Sequence, residues 1–211
     1  PGPLLAAAVA SADAATRAAP SSRRGWDRLA WACVNYAREL RDLGYEVDWS
    51  LEKGVAAAGR AQALEPESSV PPSMLMNLHL LAAELAAIRG RDGRADAEAA
   101  IAAARRVVEL GDRPVVSRVL LSQALLQDAV ARAAHGEDVA GRFADAARTM
   151  AEALDRGGEV TELAGLGVYL ASIWAEYLVE EGRSPAPALA AGEPWLRRLR
   201  EQAGQDEVAA A

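Results

Sequence analysis

The chain has 211 residues, 51% hydrophobic but only 5% aromatic. Alanine and leucine therefore carry the apolar content, and β-branched residues are too sparse for a large sheet, so an all-α fold is expected. A formal net charge of −7 argues against a sequence-independent grip on nucleic-acid phosphates, and the lone cysteine, Cys33, excludes an intrachain disulfide and a cysteine-rich metal site.

Taken in order, the predicted elements begin with an alanine-rich helix over 4–18, closed by the breaker segment APSSRRG. Helices then come in pairs, A followed by B: 26–43 with 50–64, 73–89 with 96–110, 115–135 with 142–155, and 159–181 with 188–203. The linkers between pairs read EPESSVPPS, GDRP and RGGE, and Pro66 and Pro114 fall at helix ends or starts, where a missing N–H costs little. Between A and B of each pair stands a glycine: Gly44, Gly90, Gly136 and Gly182, each 46 residues after the last. A fixed period in this range marks a repeat architecture. Ala37, Ala83, Ala129 and Ala175 stand seven positions before these glycines, and Glu46, Asp92, Asp138 and Ser184 two positions after. Glycine lets the chain leave helix A in a left-handed conformation, and Asp or Ser suits the cap of helix B. The opening PGPLLAA matches PAPALAA at 185–191, four periods on, so the chain reads as a piece of a longer array that starts on an orphan helix B. One hairpin cannot bury its own apolar face, whereas stacked neighbours can, so the expected fold is an α-solenoid of about nine helices. The expected divisions of this single repeat domain are a half repeat at 1–19, repeats at 20–65, 66–111, 112–157 and 158–203, and a tail at 204–211.

Residue types refine the class. Trp26-x-x-Leu29-Ala30-x-x-Cys33 is similar to the start of a tetratricopeptide (TPR) repeat; Leu121-Ser122-x-x-Leu125 occupies the same columns, and LGVY at 166–169 is shifted by one. AQALEP at 61–66 resembles the TPR ending, although the period exceeds the roughly 34 residues of TPR units and lies in the HEAT and armadillo range. The segments 86–110 and 174–199 resemble the long TPR-like units found C-terminal to the catalytic domain of many bacterial serine/threonine protein kinases. Those units carry a Gly-x-Asp-Pro turn; here Pro185 keeps the proline, and Asp92 and Asp138 keep the acid. The resemblance implies a right-handed solenoid of TPR-like antiparallel helix pairs, in a region of a larger bacterial protein that carries none of the kinase catalytic motifs itself.

No catalytic constellation is read. His79 shares a repeat column with Cys33, Leu125 and Ala171 and is expected to be packed, while His135 beside its glycine suits a helix C-terminus. Ser50, Ser117 and Ser184 lie near helix starts, where they would cap, and Gly54, Gly59, Gly165, Gly167 and Gly192 would permit close helix contacts. No metal, cofactor or enzymatic activity is expected. The apolar run 163–175 is shorter than the ~18 residues of a membrane span. No basic leader precedes the first apolar run, which in a piece of a longer chain says nothing of the parent; a cytoplasmic location is the expectation.

One pattern carries a functional expectation. Positions 13, 9, 6 and 2 before each glycine share a face of helix A. They are Trp31, Asn35, Arg38 and Asp42; Asn77, Leu81, Glu84 and Ile88; Gln123, Gln127, Val130 and Ala134; and Tyr169, Ile173, Glu176 and Glu180. In TPR-like superhelices the A helices line the concave wall, so this stripe is expected to hold a protein or peptide partner through amides and aromatics. The candidate partner-binding residues are Trp31, Asn35, Arg38, Asn77, Glu84, Gln123, Gln127, Tyr169 and Glu176. A solvated helix face with inter-repeat packing fits the same positions. The leading expectation is a non-catalytic interaction scaffold, the regulatory or substrate-recruiting region of a kinase. The alternative is a repeat regulator that senses a ligand or peptide.

Overall fold

The computed structural model describes residues 3–111, 114–156 and 161–209, with the side chains of 161–162 and 202–209 not described. Most of the GDRP and RGGE linkers, and the expected start of the last A helix at 159, lie outside the described residues. Among those described, nine α-helices and no strand form: α1 (Pro3–Ala18), α2 (Arg23–Asp42), α3 (Asp48–Leu64), α4 (Val70–Ile88), α5 (Arg94–Leu110), α6 (Pro114–Ala133), α7 (Ala140–Asp155), α8 (Thr161–Glu180) and α9 (Ala186–Ala209). Helix α9 runs on through most of the expected tail.

The four spaced glycines are the positions at which helix A ends. Gly44, Gly90, Gly136 and Gly182 all have positive φ, between 63° and 75°, which glycine adopts without the Cβ clash other residues meet. Each turn closes with the same two backbone bonds. In the first, Tyr45 N donates to Leu40 O at 2.8 Å and Gly44 N to Arg41 O at 2.9 Å. The other three repeat this with Arg91 to Ala86, Glu137 to Arg132 and Arg183 to Leu178. This is the Schellman arrangement, and it satisfies carbonyls that the helix end would leave bare.

Helix B starts two residues earlier than expected. Asp92, Asp138 and Ser184 sit one residue ahead of the cap position, and their oxygens accept from the first helical amides, those of Arg94 (3.0 Å), Ala140 (3.2 Å) and Ala186 (3.3 Å). Two expected caps are not caps. Ser50 is fully buried and donates to Cys33 O at 3.1 Å across the hairpin, and Ser117 donates to Pro114 O within its own helix.

The chain divides into two compact units, Pro1–Asp112 and Arg113–Ala211. In the first, each helix from α1 to α5 packs on the next and α2 also packs on α4; in the second, α6 to α9 pack in succession. Leu29, Cys33 and Leu40 of α2, Leu51 of α3, and Leu78, Leu81 and Leu85 of α4 fill the first core. In the second, Phe143 of α7 lies among Leu126, Leu170, Trp174 and Leu178, while Met150 and Trp195 anchor a neighbouring cluster. Small residues set the close approaches. A Cβ on Gly54 would lie 2.7 Å from Leu78, and one on Gly167 would lie 2.3 Å from the Trp195 ring. Gly59 and Gly165 have nothing within 4 Å, so the expectation of close contact fails for them.

Arginines reach from one hairpin to the turn of the one before it. Arg89 donates to Asp48 at 2.8 Å and Glu46 at 3.1 Å, and Arg183 donates to Asp138 at 3.1 Å. Within the α6–α7 hairpin, Asp128 is fully buried between Arg132, whose Nε donates at 2.9 Å, and Arg142 of α7.

Candidate functional site

Because α2 and α4 pack side by side, the first unit brings stripe residues of successive A helices together. Arg38 Nη2 donates to Asn77 Oδ1 at 2.7 Å, and one turn further on Arg41 Nη1 donates to Glu84 Oε2 at 2.9 Å. Asp42 first, then Glu84, hold the Arg41 guanidinium further above its ordinary range. Arg41 was not among the expected residues, yet its pair with Glu84 ties the two helices. Its offset of three positions from Arg38, one helical turn, was the available signal.

Trp31 stands 57% exposed at the N-terminal end of this patch, one turn before Asn35. Asn35 Nδ2 donates to Trp31 O at 2.8 Å and Asn77 Nδ2 to Ser73 O at 2.9 Å, so both amides are anchored to their own helices. That narrows the expected chemistry. The Asn77 oxygen is committed to Arg38, which leaves an exposed indole and, two turns on along α2, a positioned guanidinium as the main features facing solvent. Leu81, on the same predicted stripe, is only 3% exposed and belongs to the core, whereas Ile88 is open to solvent.

In the second unit, Gln123 and Gln127 are half-buried on α6, and their side-chain amides make no hydrogen bond among the described residues. Tyr169 is 53% exposed on α8, and Glu176 is exposed two turns beyond it. Among the described residues no hydrogen bond joins the α6 glutamines to either of them.

The histidines differ from one another. His135 Nδ1 lies 2.8 Å from Ala131 O at the end of its helix, in line with the expected role. His79 is half-buried, not enclosed, and its Nδ1 lies 2.8 Å from Asp96 Oδ1 of α5, a partner the sequence reading missed. No three His, Cys, Asp or Glu side chains among the described residues gather as a metal site, and no described helix is long and apolar enough to cross a membrane. No protein-family model matches the chain, and no curated protein matches it.

Proposed function

We propose that the chain is a non-catalytic, right-handed solenoid of TPR-like hairpins whose A-helix face captures a segment of a protein partner. Support for the repeat reading comes from four identical glycine turns 46 residues apart and from the side-by-side packing of α2 and α4. The observation that carries the binding role is the Trp31–Arg38–Asn77 patch. An indole 57% exposed has no use in the core, and Trp and Arg are the residue types that dominate interface energetics. Asn77 holds the guanidinium in place, which lowers the ordering cost of binding. The sequence resemblance supports placing this activity in the regulatory or recruiting region of a bacterial serine/threonine kinase.

Selection of peptides from a displayed random library against the immobilised chain tests this reading. Enriched peptides should bind Trp31→Ala about thirtyfold more weakly, in keeping with an interface anchor worth ~2 kcal/mol, and Arg38→Ala with a smaller loss. Leu189→Ala, at another exposed apolar position, should bind as the parent does. Equal binding to all three variants would overturn the proposal.

A further inference from the structure

A cleft of about 490 Å³ opens between α3, α4 and α5, on the opposite side of α4 from the Asn77–Glu84 stripe. Leu51 and Val55 of α3 and Leu78 of α4 form its apolar floor, and Asp48, Glu52, His79 and Asp96 stand around it. The volume lies in the range of small-molecule sites.

The polar groups around the cleft are of one kind. Asp48 accepts from Arg89 at 2.8 Å and has Arg91 at 4.0 Å, Asp96 is engaged with His79 Nδ1 at 2.8 Å, and Glu52 has no partner among the described residues. A carboxylate only accepts, so His79 Nδ1 donates to Asp96, and in the neutral form of the ring Nε2 is then an acceptor. No lysine or arginine lines the cleft. Glu52 is the carboxylate at the cleft left without a counter-charge among the described residues, and a ligand that satisfies it brings donors and positive charge on an apolar body.

The polar pair is also particular to this hairpin. His79 and Asp96 are 17 residues apart, as are Cys33 and Ser50, which meet at the same hairpin position and are fully buried. The third hairpin has Leu125 and Arg142 at the corresponding places, and the last has Ala171 and Ala188. The architecture does not need an ionisable pair there. We propose that the cleft binds a small hydrophobic ammonium ligand, with its apolar body on the floor and its N–H groups toward Glu52 and His79. This is independent of the partner face on the other side of α4.

Titration of the whole ¹⁵N-labelled chain with 2-(2-naphthyl)ethylammonium, 2-(2-naphthyl)ethanol and 2-naphthylacetate provides the test. The ammonium probe should give saturable amide shifts at Val55, Leu78 and His79, at least fivefold tighter than the alcohol, and the acetate should give none. Glu52→Gln, at an exposed position, should weaken the ammonium probe about two- to fivefold, as removal of an exposed charge pair does. Ala56→Phe, which fills the cleft from an exposed position, should abolish binding without altering the far-UV spectrum. Absence of saturable shifts at millimolar probe, binding of the acetate at the same amides, or indifference to Glu52→Gln would overturn the proposal. So would tighter binding at those amides by a blocked lysine peptide, which would reassign the cleft to a basic protein segment.

Discussion

Replacing Asp128 by asparagine probes how the α6–α7 hairpin is held. The carboxylate is 0% exposed and divides its two oxygens between Arg132 Nε, at 2.9 Å, and Arg142. Asparagine keeps the volume but turns one acceptor into a donor, which then faces a guanidinium that can only donate. Removing one partner of a buried pair costs about 3–5 kcal/mol. The Arg142 side chain is 42% exposed and can turn to solvent, which places the expected loss near the lower end, about 3 kcal/mol. With a urea slope of about 2 kcal/mol/M, the unfolding midpoint should fall by ~1.5 M. Urea titrations followed by circular dichroism and tryptophan emission would measure it, since Trp174 shares the core that Phe143 of α7 enters. Asp145→Asn is the control: its pair with Arg148 is exposed on both sides, and its loss should stay below about 1 kcal/mol. Most of the Asp128→Asn deficit should persist in 1 M salt, because buried charges are screened far less than surface ones. Equal, small losses for the two variants would refute the reasoning.

Gly167→Ala should destabilise the α8–α9 contact by about 1–3 kcal/mol, because its methyl would press into the Trp195 ring, whereas Gly165→Ala, two residues away in open space, should stabilise by up to about 1 kcal/mol; a thermal melt of each variant distinguishes them. Burial pushes the Cys33 thiol up from its ordinary 9.0 to about 11. The folded thiol therefore stays protonated where the unfolded one ionises, so stability is unaffected below pH 9 and declines as pH rises from 9 toward 11. Cys33→Ala should remove that part of the alkaline decline in urea titrations across this range, and native Cys33 should resist iodoacetamide at pH 8 while the unfolded chain labels.

The hairpins were legible because glycine reports a backbone requirement directly. A helix that must end in a left-handed residue leaves its mark at a fixed column, and the spacing of 46 made the mark countable. Helix B starts were read two residues late, because an Asp or Ser one position ahead of the cap satisfies the same amides as a cap would. Asp128 was not legible. A carboxylate in a mixed helix reads as surface, and only Arg132 four residues on and Arg142 in the next helix hinted at a buried cluster. The Arg38–Asn77 contact was half legible: both residues lay on the expected stripe, but side-chain choice between backbone, neighbour and solvent is decided by packing distances that spacing does not carry. The His79–Asp96 pair was not legible either, because which columns meet across a hairpin, as Cys33 and Ser50 also do, is set by helix packing.

The arginines that reach back to the preceding turn add an ionic part to a coupling between hairpins that is otherwise apolar. Leu78, Leu81 and Leu85 of α4 share an apolar core with α2 and α3 that is indifferent to electrolyte, while Arg89 with Glu46 and Asp48, and Arg183 with Asp138, lie at the solvent and weaken as counterions accumulate. Ionic strength should thus act on cooperativity more than on the strength of any one hairpin. Concentrated salt should loosen the joint opening of neighbouring hairpins, while the shared apolar core keeps part of that coupling.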